Sequence, residues 1–135
     1  MVRIDIEYKG DLRCQAEHEP SRQILVTDAP KDNMGRGEAF SPTDLLATAL
    51  GTCIATTMAI VARRDSLEMA GFKVSVEKEM ASQPTRRIGR LIVNISMPHG
   101  LTDVQRRKLE AAAHACPVHK SLHPDTKVET EFLYS

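Results

Sequence analysis

The chain is predicted to fold as an α+β domain with element order β-β-β-α-β-β-α-β, and three observations carry that expectation. Short segments near both ends and in the middle alternate apolar and charged residues with a period of two. One long uncharged segment is bracketed by helix-start and helix-stop residues. A second, shorter helical segment opens on a capping box. With 135 residues there is room for one domain, spanning 1–135, and for a core that needs neither disulfides nor metal.

The elements follow in order. In residues 2–9, Val2, Ile4, Ile6 and Tyr8 alternate with polar neighbours, the pattern of a half-buried strand. Lys9-Gly10-Asp11 is turn chemistry, which makes 12–19 the return strand of a hairpin. Residues 23–28 form a third strand, and 29–40, with Pro30, Asn33, Gly35 and Gly37, a loop of the length that often carries function. Ser41 is placed to cap the long helix, with Pro42 at its first position and Asp44 at its third. Arg63 and Arg64 suit its negative end. Residues 72–80 and 86–97 alternate again as strands. Thr102 and Gln105 start a helix running to about Ala115, Pro117 interrupts it, 117–122 add a further turn or two, and 126–134 close with a strand.

Residues 45–62 carry no charge, a length at the lower edge of a membrane span. Ala, Thr, Gly and Cys dilute that segment, and no aromatic belt flanks it, so a long buried central helix is expected and no membrane association. Ala47, Gly51, Ala55 and Ala59 recur every four residues along it, a stripe that allows close approach of a partner helix or serves generic core packing.

Composition narrows the function. Lys plus Arg and Asp plus Glu both number 18, and aromatic residues are 4%, with no Trp. Neither a basic footprint nor stacking platforms for nucleic acid can be built from that, so no nucleic-acid partner is expected. Three cysteines are too few for a disulfide scaffold, and the first ten residues contain no apolar stretch of the secretory type. A cytoplasmic protein with reduced thiols is the expectation.

Taken singly, Cys14, Cys53 and Cys116 read as buried and inert. Cys116 stands out because it precedes Pro117 at the start of a turn, where free N–H groups lower a thiol pKa. His114, His119 and His123 lie close by, but without a Cys-x-x-Cys or His-Glu-x-x-His pattern they do not make a metal site, and no metal or cofactor is expected.

Two segments resemble a known family. SPTDLLATALGTC, running into IATTMAIVARR, looks like the first-cysteine motif of the OsmC/Ohr family (osmotically inducible protein C and organic hydroperoxide resistance), and AAAHACPVHKSL looks like its second. Both motifs occur in the family's order, 63 residues apart from cysteine to cysteine, and the likeness covers nearly the whole chain.

The resemblance implies an intertwined homodimer with two active sites at the subunit interface. It also implies a thiol peroxidase acting on organic hydroperoxides, in oxidative-stress defence. Cys53 would be the peroxidatic thiolate, Cys116 the resolving thiol, and an external dithiol the reductant. Small apolar walls would suit a lipid-like hydroperoxide. Members of the Ohr branch place Glu directly after the helix-starting proline and use an Arg to stabilise the thiolate. Here Thr43 stands at the Glu position and Asp44 follows, either replacing the acid or capping the helix. Arg36 is the first candidate for the cation, with Arg13 and Arg22 as alternatives. Local chemistry favours Cys116 as the more acidic thiol, whereas the resemblance places the first attack at Cys53. From a different functional class, the competing reading is a non-catalytic binding protein for a small apolar or thiol-reactive ligand.

Overall fold

The computed structural model describes residues 1–135 and divides them into two units, Met1–Leu46 and Ala47–Ser135. The first holds an antiparallel sheet in the order β1-β2-β3, formed by Ile4–Gly10, Arg13–His18 and Gln23–Asp28. Its register pairs Ile6 with Ala16 and Ala16 with Leu25. Both hairpin turns demand left-handed backbone, which Gly10, Asp11 and Leu12 supply in the first and Arg22 in the second. On this sheet Ile4, Ile6 and Tyr8 of β1 are exposed, as are Ile24, Leu25 and Val26 of β3.

The loop after β3 contains a single 3-10 turn at Lys31–Asn33 and is pinned by Asp28. The carboxylate of Asp28 is buried and accepts from the Glu38 N–H at 2.9 Å and from Arg13 Nη2 at 3.4 Å. Arg13 Nη2 also pairs with Glu38 at 2.6 Å. These donors, led by the Glu38 N–H, hold the Asp28 carboxyl below its ordinary range although burial opposes them. Asp28 Oδ1 has no hydrogen-bond partner. Gly35 is required here because a Cβ would overlap the Ala29 carbonyl.

Helix α1, Pro42–Arg64, starts at the expected residue. Asp44 N–H donates to Ser41 Oγ at 3.1 Å, and Ser41 N–H donates to Asp44 Oδ2 at 2.9 Å, which is a reciprocal capping box with Asp in place of Glu. The helix is long and apolar enough to cross a membrane, but Ala47, Leu50, Gly51, Ile54, Met58 and Ala62 face a core. One third of its most apolar stretch is buried within the chain, and Ile60 remains exposed.

That core belongs to Ala47–Ser135. Its sheet has the order β4-β5-β6, from Lys73–Ala81, Arg87–Ser96 and Lys127–Leu133. β4 and β5 run antiparallel, with Val74 opposite Ile95 and Val76 opposite Val93. β5 and β6 run parallel, which demands a crossover. Helices α2, Asp103–His114, and α3, Pro117–Lys120, provide it. Thr102 and Gln105 form the expected capping box, at 3.2 and 2.9 Å. Leu91, Val93 and Ile95 of β5 are fully buried together with Leu50, Ile54 and Met58 of α1, Leu109 of α2, and Cys116.

The small-residue stripe on α1 divides. Ala47 and Gly51 are buried, and a Cβ on Gly51 would lie 2.9 Å from Val76 Cγ2, so a strand answers this end of the stripe rather than a partner helix. A helix axis packs closest where it has no side chain, and the twisted sheet exploits that gap. Ala59, further along, is exposed.

Candidate active site

Cys53 lies at mid-length of α1, one turn after Ala49 on the helix and half-buried. Cys116 follows the last turn of α2, where the chain leaves helical geometry (φ −62°, ψ 125°) and Pro117 starts α3. Proline is tolerated at that first position because its N–H would be unpaired anyway, and its fixed φ begins the new turn. The Cys116 thiol and the Val118 N–H, on either side of this break, both act on the ionisation of Cys53. No disulfide joins them, and Cys14 is also a free thiol, on β2 opposite Thr27.

The two thiols are driven in opposite directions. Burial pushes the Cys53 thiol up, but hydrogen bonds from the Cys116 thiol, the Val118 N–H and the Thr57 hydroxyl outweigh it, and its pKa is lowered. For Cys116 burial again comes first, and donating its proton to Cys53 adds to it; the result is a raised pKa. The expectation from local chemistry, that Cys116 is the more acidic thiol, is therefore corrected. Its position before α3 does bring the His119 and Val118 N–H groups toward it, but a four-residue helix cannot offset complete burial. Cys53, which gains little from its own helix dipole, receives the donors instead.

The other candidate residues lie in Met1–Leu46, each engaged locally. Arg36 Nη2 is 3.6 Å from Asp11 and more than half exposed. Arg13 binds Asp28 and Glu38, and Arg22 binds Glu17 at 2.7 Å. Asp44 occupies the helix cap. Sequence reasoning missed Thr57 and the Val118 N–H. A hydroxyl residue four positions after a cysteine on a helix is the signal that could have found Thr57; a backbone donor 65 residues away leaves none.

A family model described as OsmC-like protein matches residues 35–131. Among solved structures, a candidate osmotic stress induced and detoxification response protein from Psychrobacter arcticus is 41% identical, with a TM-score of 0.92 over 98% of this chain and 96% of its own. An OsmC-like protein from Vibrio cholerae superposes with a TM-score of 0.81 at 12% identity, covering 98% of this chain and 99% of its own. An organic hydroperoxide resistance protein OsmC from Legionella pneumophila does so at 0.74 and 19% identity, covering 98% and 96%. The last two likenesses show the fold alone. No curated protein matches.

Proposed function

The chain belongs to the OsmC-like family, and from that premise we propose that it is a thiol-dependent peroxidase that reduces organic hydroperoxides through Cys53 and Cys116. The observation that carries the reading is the opposed pull on two adjacent thiols: the donors around Cys53 favour its thiolate, and Cys116 stays protonated beside it. A thiolate is the nucleophile and a neutral thiol is the partner that must wait, so the pair is arranged as the reaction uses it. The substrate class is the one that the OsmC/Ohr motifs around Cys53 and Cys116 imply.

In the proposed cycle the Cys53 thiolate attacks the distal peroxide oxygen, and the O–O bond breaks. The alkoxide takes a proton and leaves as the alcohol, and Cys53 becomes a sulfenic acid. The Cys116 thiol then displaces water from that sulfur, forming the disulfide before further oxidation. A small external dithiol reduces it by exchange and is itself oxidised. Arg36 and Asp44 enter the proposal on the family resemblance alone, as the cation and acid that assist Cys53, with Arg13 and Arg22 as substitutes for Arg36.

The proposal includes a homodimer in the cytoplasm. The apolar residues left exposed on β1 and β3, and on α1 at Ile60, need a cover, and a second copy supplies one with the same composition. Thiol counting before and after one equivalent of tert-butyl hydroperoxide tests the reaction. Loss of two thiols per chain, blocked by Cys53→Ser, is expected. Unchanged thiols with the hydroperoxide bound would instead make the protein a non-catalytic binder.

A further inference from the structure

A cavity of about 500 Å³ opens at one end of the β4-β5-β6 sheet, within Ala47–Ser135. It lies beyond the carboxyl ends of β5 and β6, where the chain of β5 departs into the crossover and that of β6 runs on to Tyr134. Strands that diverge in this way leave a crevice outside their carboxyl ends, the place where open sheets take ligands. Its volume falls in the roughly 300–1,000 Å³ range of small-molecule sites. Neither Cys53 nor Cys116 lines it, so it is separate from the candidate active site.

The walls are held by their own hydrogen bonds. Met97 N–H donates to the Leu133 carbonyl at 2.8 Å, Phe72 N–H to the Met69 carbonyl at 3.0 Å, and Ala70 N–H to Glu68 Oε1 at 2.7 Å. The Tyr134 hydroxyl donates to Glu110 of α2, and the His99 ring is engaged by Ser135 Oγ at 3.1 Å. Two side-chain donors on the wall are left over. Lys73 of β4, Ser96 of β5 and Leu133 of β6 stand opposite one another in one row, so their side chains share one face of the sheet. All three are exposed, and no hydrogen bond or ion pair engages the Lys73 ammonium or the Ser96 hydroxyl. We propose that this cavity binds a small monocarboxylate with an apolar body, its carboxylate on Lys73 and Ser96 and its body against Met69, Phe72, Met97 and Leu133. A single ammonium matches a single negative charge, and Glu68 on the same wall opposes a second one. Neither an arginine fork nor a helix N-terminus lines the cavity, and these are the devices that suit a phosphate. Burial of the apolar body supplies affinity, and Lys73 selects for the charge.

The inference goes beyond the proposed peroxidase, and its test needs no hydroperoxide. Sodium octanoate is titrated into the full chain at low salt and followed by calorimetry and by backbone amide shifts. One saturable site per chain is expected, with the shifts centred on residues 68–73, 96–99 and 133–135. Lys73→Gln keeps most of the stem and removes the charge; it should weaken octanoate roughly fivefold and leave the binding of 1-octanol unchanged. Ser96→Ala should weaken octanoate by a smaller factor. Both side chains are exposed, so the variants should fold as the wild type does, which circular dichroism checks. No saturable binding, binding unaltered in Lys73→Gln, an equal loss of 1-octanol, or shifts centred on α1 overturns the proposal. Tighter binding of octyl phosphate than of octanoate overturns the choice of a carboxylate. A protein that binds octanoate as expected and consumes no hydroperoxide overturns the peroxidase reading and leaves this site standing.

Discussion

Gly51 of α1 and Val76 of β4 meet where the helix has no side chain: a Cβ at residue 51 would stand 2.9 Å from Val76 Cγ2 and 3.8 Å from Val74 Cγ1. Both valines sit opposite fully buried β5 residues, so neither can retreat into the core. Gly51→Leu is expected to lower stability by roughly 1–3 kcal/mol through overpacking. Because the clash is internal to one chain, the loss should be the same at low and high protein concentration, as thermal unfolding across a dilution series would show.

Removing the Cys116 donor should weaken the Cys53 thiolate. In Cys116→Ala the alkylation midpoint of Cys53 is expected to rise toward the ordinary thiol value, whereas Cys116→Ser retains a donor and should hold it lower. With hydroperoxide, Cys116→Ser should lose one thiol per event at Cys53 and accumulate sulfenic or higher acids, detectable by intact-mass shifts of one, two or three oxygens.

Arg36→Ala breaks the exposed pairing with Asp11 and should cost under ~0.5 kcal/mol of stability. It is expected to raise the alkylation midpoint of Cys53 if the guanidinium serves that thiolate. An unchanged midpoint would transfer the role to Arg13 or Arg22, or leave it with the Cys116, Val118 and Thr57 donors.

Asp28 gives a pH signature in the opposite range. Its folded pKa is depressed, so its contribution to stability is complete above the unfolded carboxyl value and is lost as pH falls through the folded one. In denaturant titrations between pH 6 and acid, wild-type stability should fall as this carboxylate protonates. Asp28→Asn should begin lower and vary less, with Arg13 left facing a neutral amide.

Tyr134 should titrate late. Burial and the hydrogen bond to Glu110 push its phenol up to about 12, against the pull of Arg106, whose guanidinium lies 4.2 Å from the ring centre. Here the protonated form is favoured in the fold, so stability is intact below the usual phenol value near 10 and declines as pH rises toward 12. Absorbance titration at 295 nm should show a late phase that Tyr134→Phe removes.

The helix boundaries were legible because capping is local chemistry. Ser41 with Asp44, and Thr102 with Gln105, signal their ends within four residues, and the hydrogen bonds are where those residues put them. The strands were legible from alternation, as in Val74 and Val76, each half-buried between exposed neighbours. Their partition into two sheets, and the parallel pairing of β5 with β6, were not: alternation marks a face and says nothing of which strand lies beside it. The family motifs singled out the two cysteines. Their order of acidity was misread from local sequence because burial of Cys116 and the Val118 donor to Cys53 arise only when residues over 60 apart in the chain converge.

The parallel pairing of β5 and β6 sets a timetable. Parallel strands close only after a long crossover, so contacts that depend on them form late on the folding route. Cys116 rides on that crossover, between α2 and α3, whereas Cys53 sits in a helix that can form early. A nascent chain thus carries two unpaired thiols of ordinary reactivity, and only a finished Ala47–Ser135 unit brings them together. Oxidation would then close a loop of more than 60 residues, a constraint worth about 4 kcal/mol on the denatured chain by loop-closure entropy. On that arithmetic each turn of the proposed cycle alternates a looser and a tighter molecule, and resistance to proteolysis would rise and fall with the redox state of the pair.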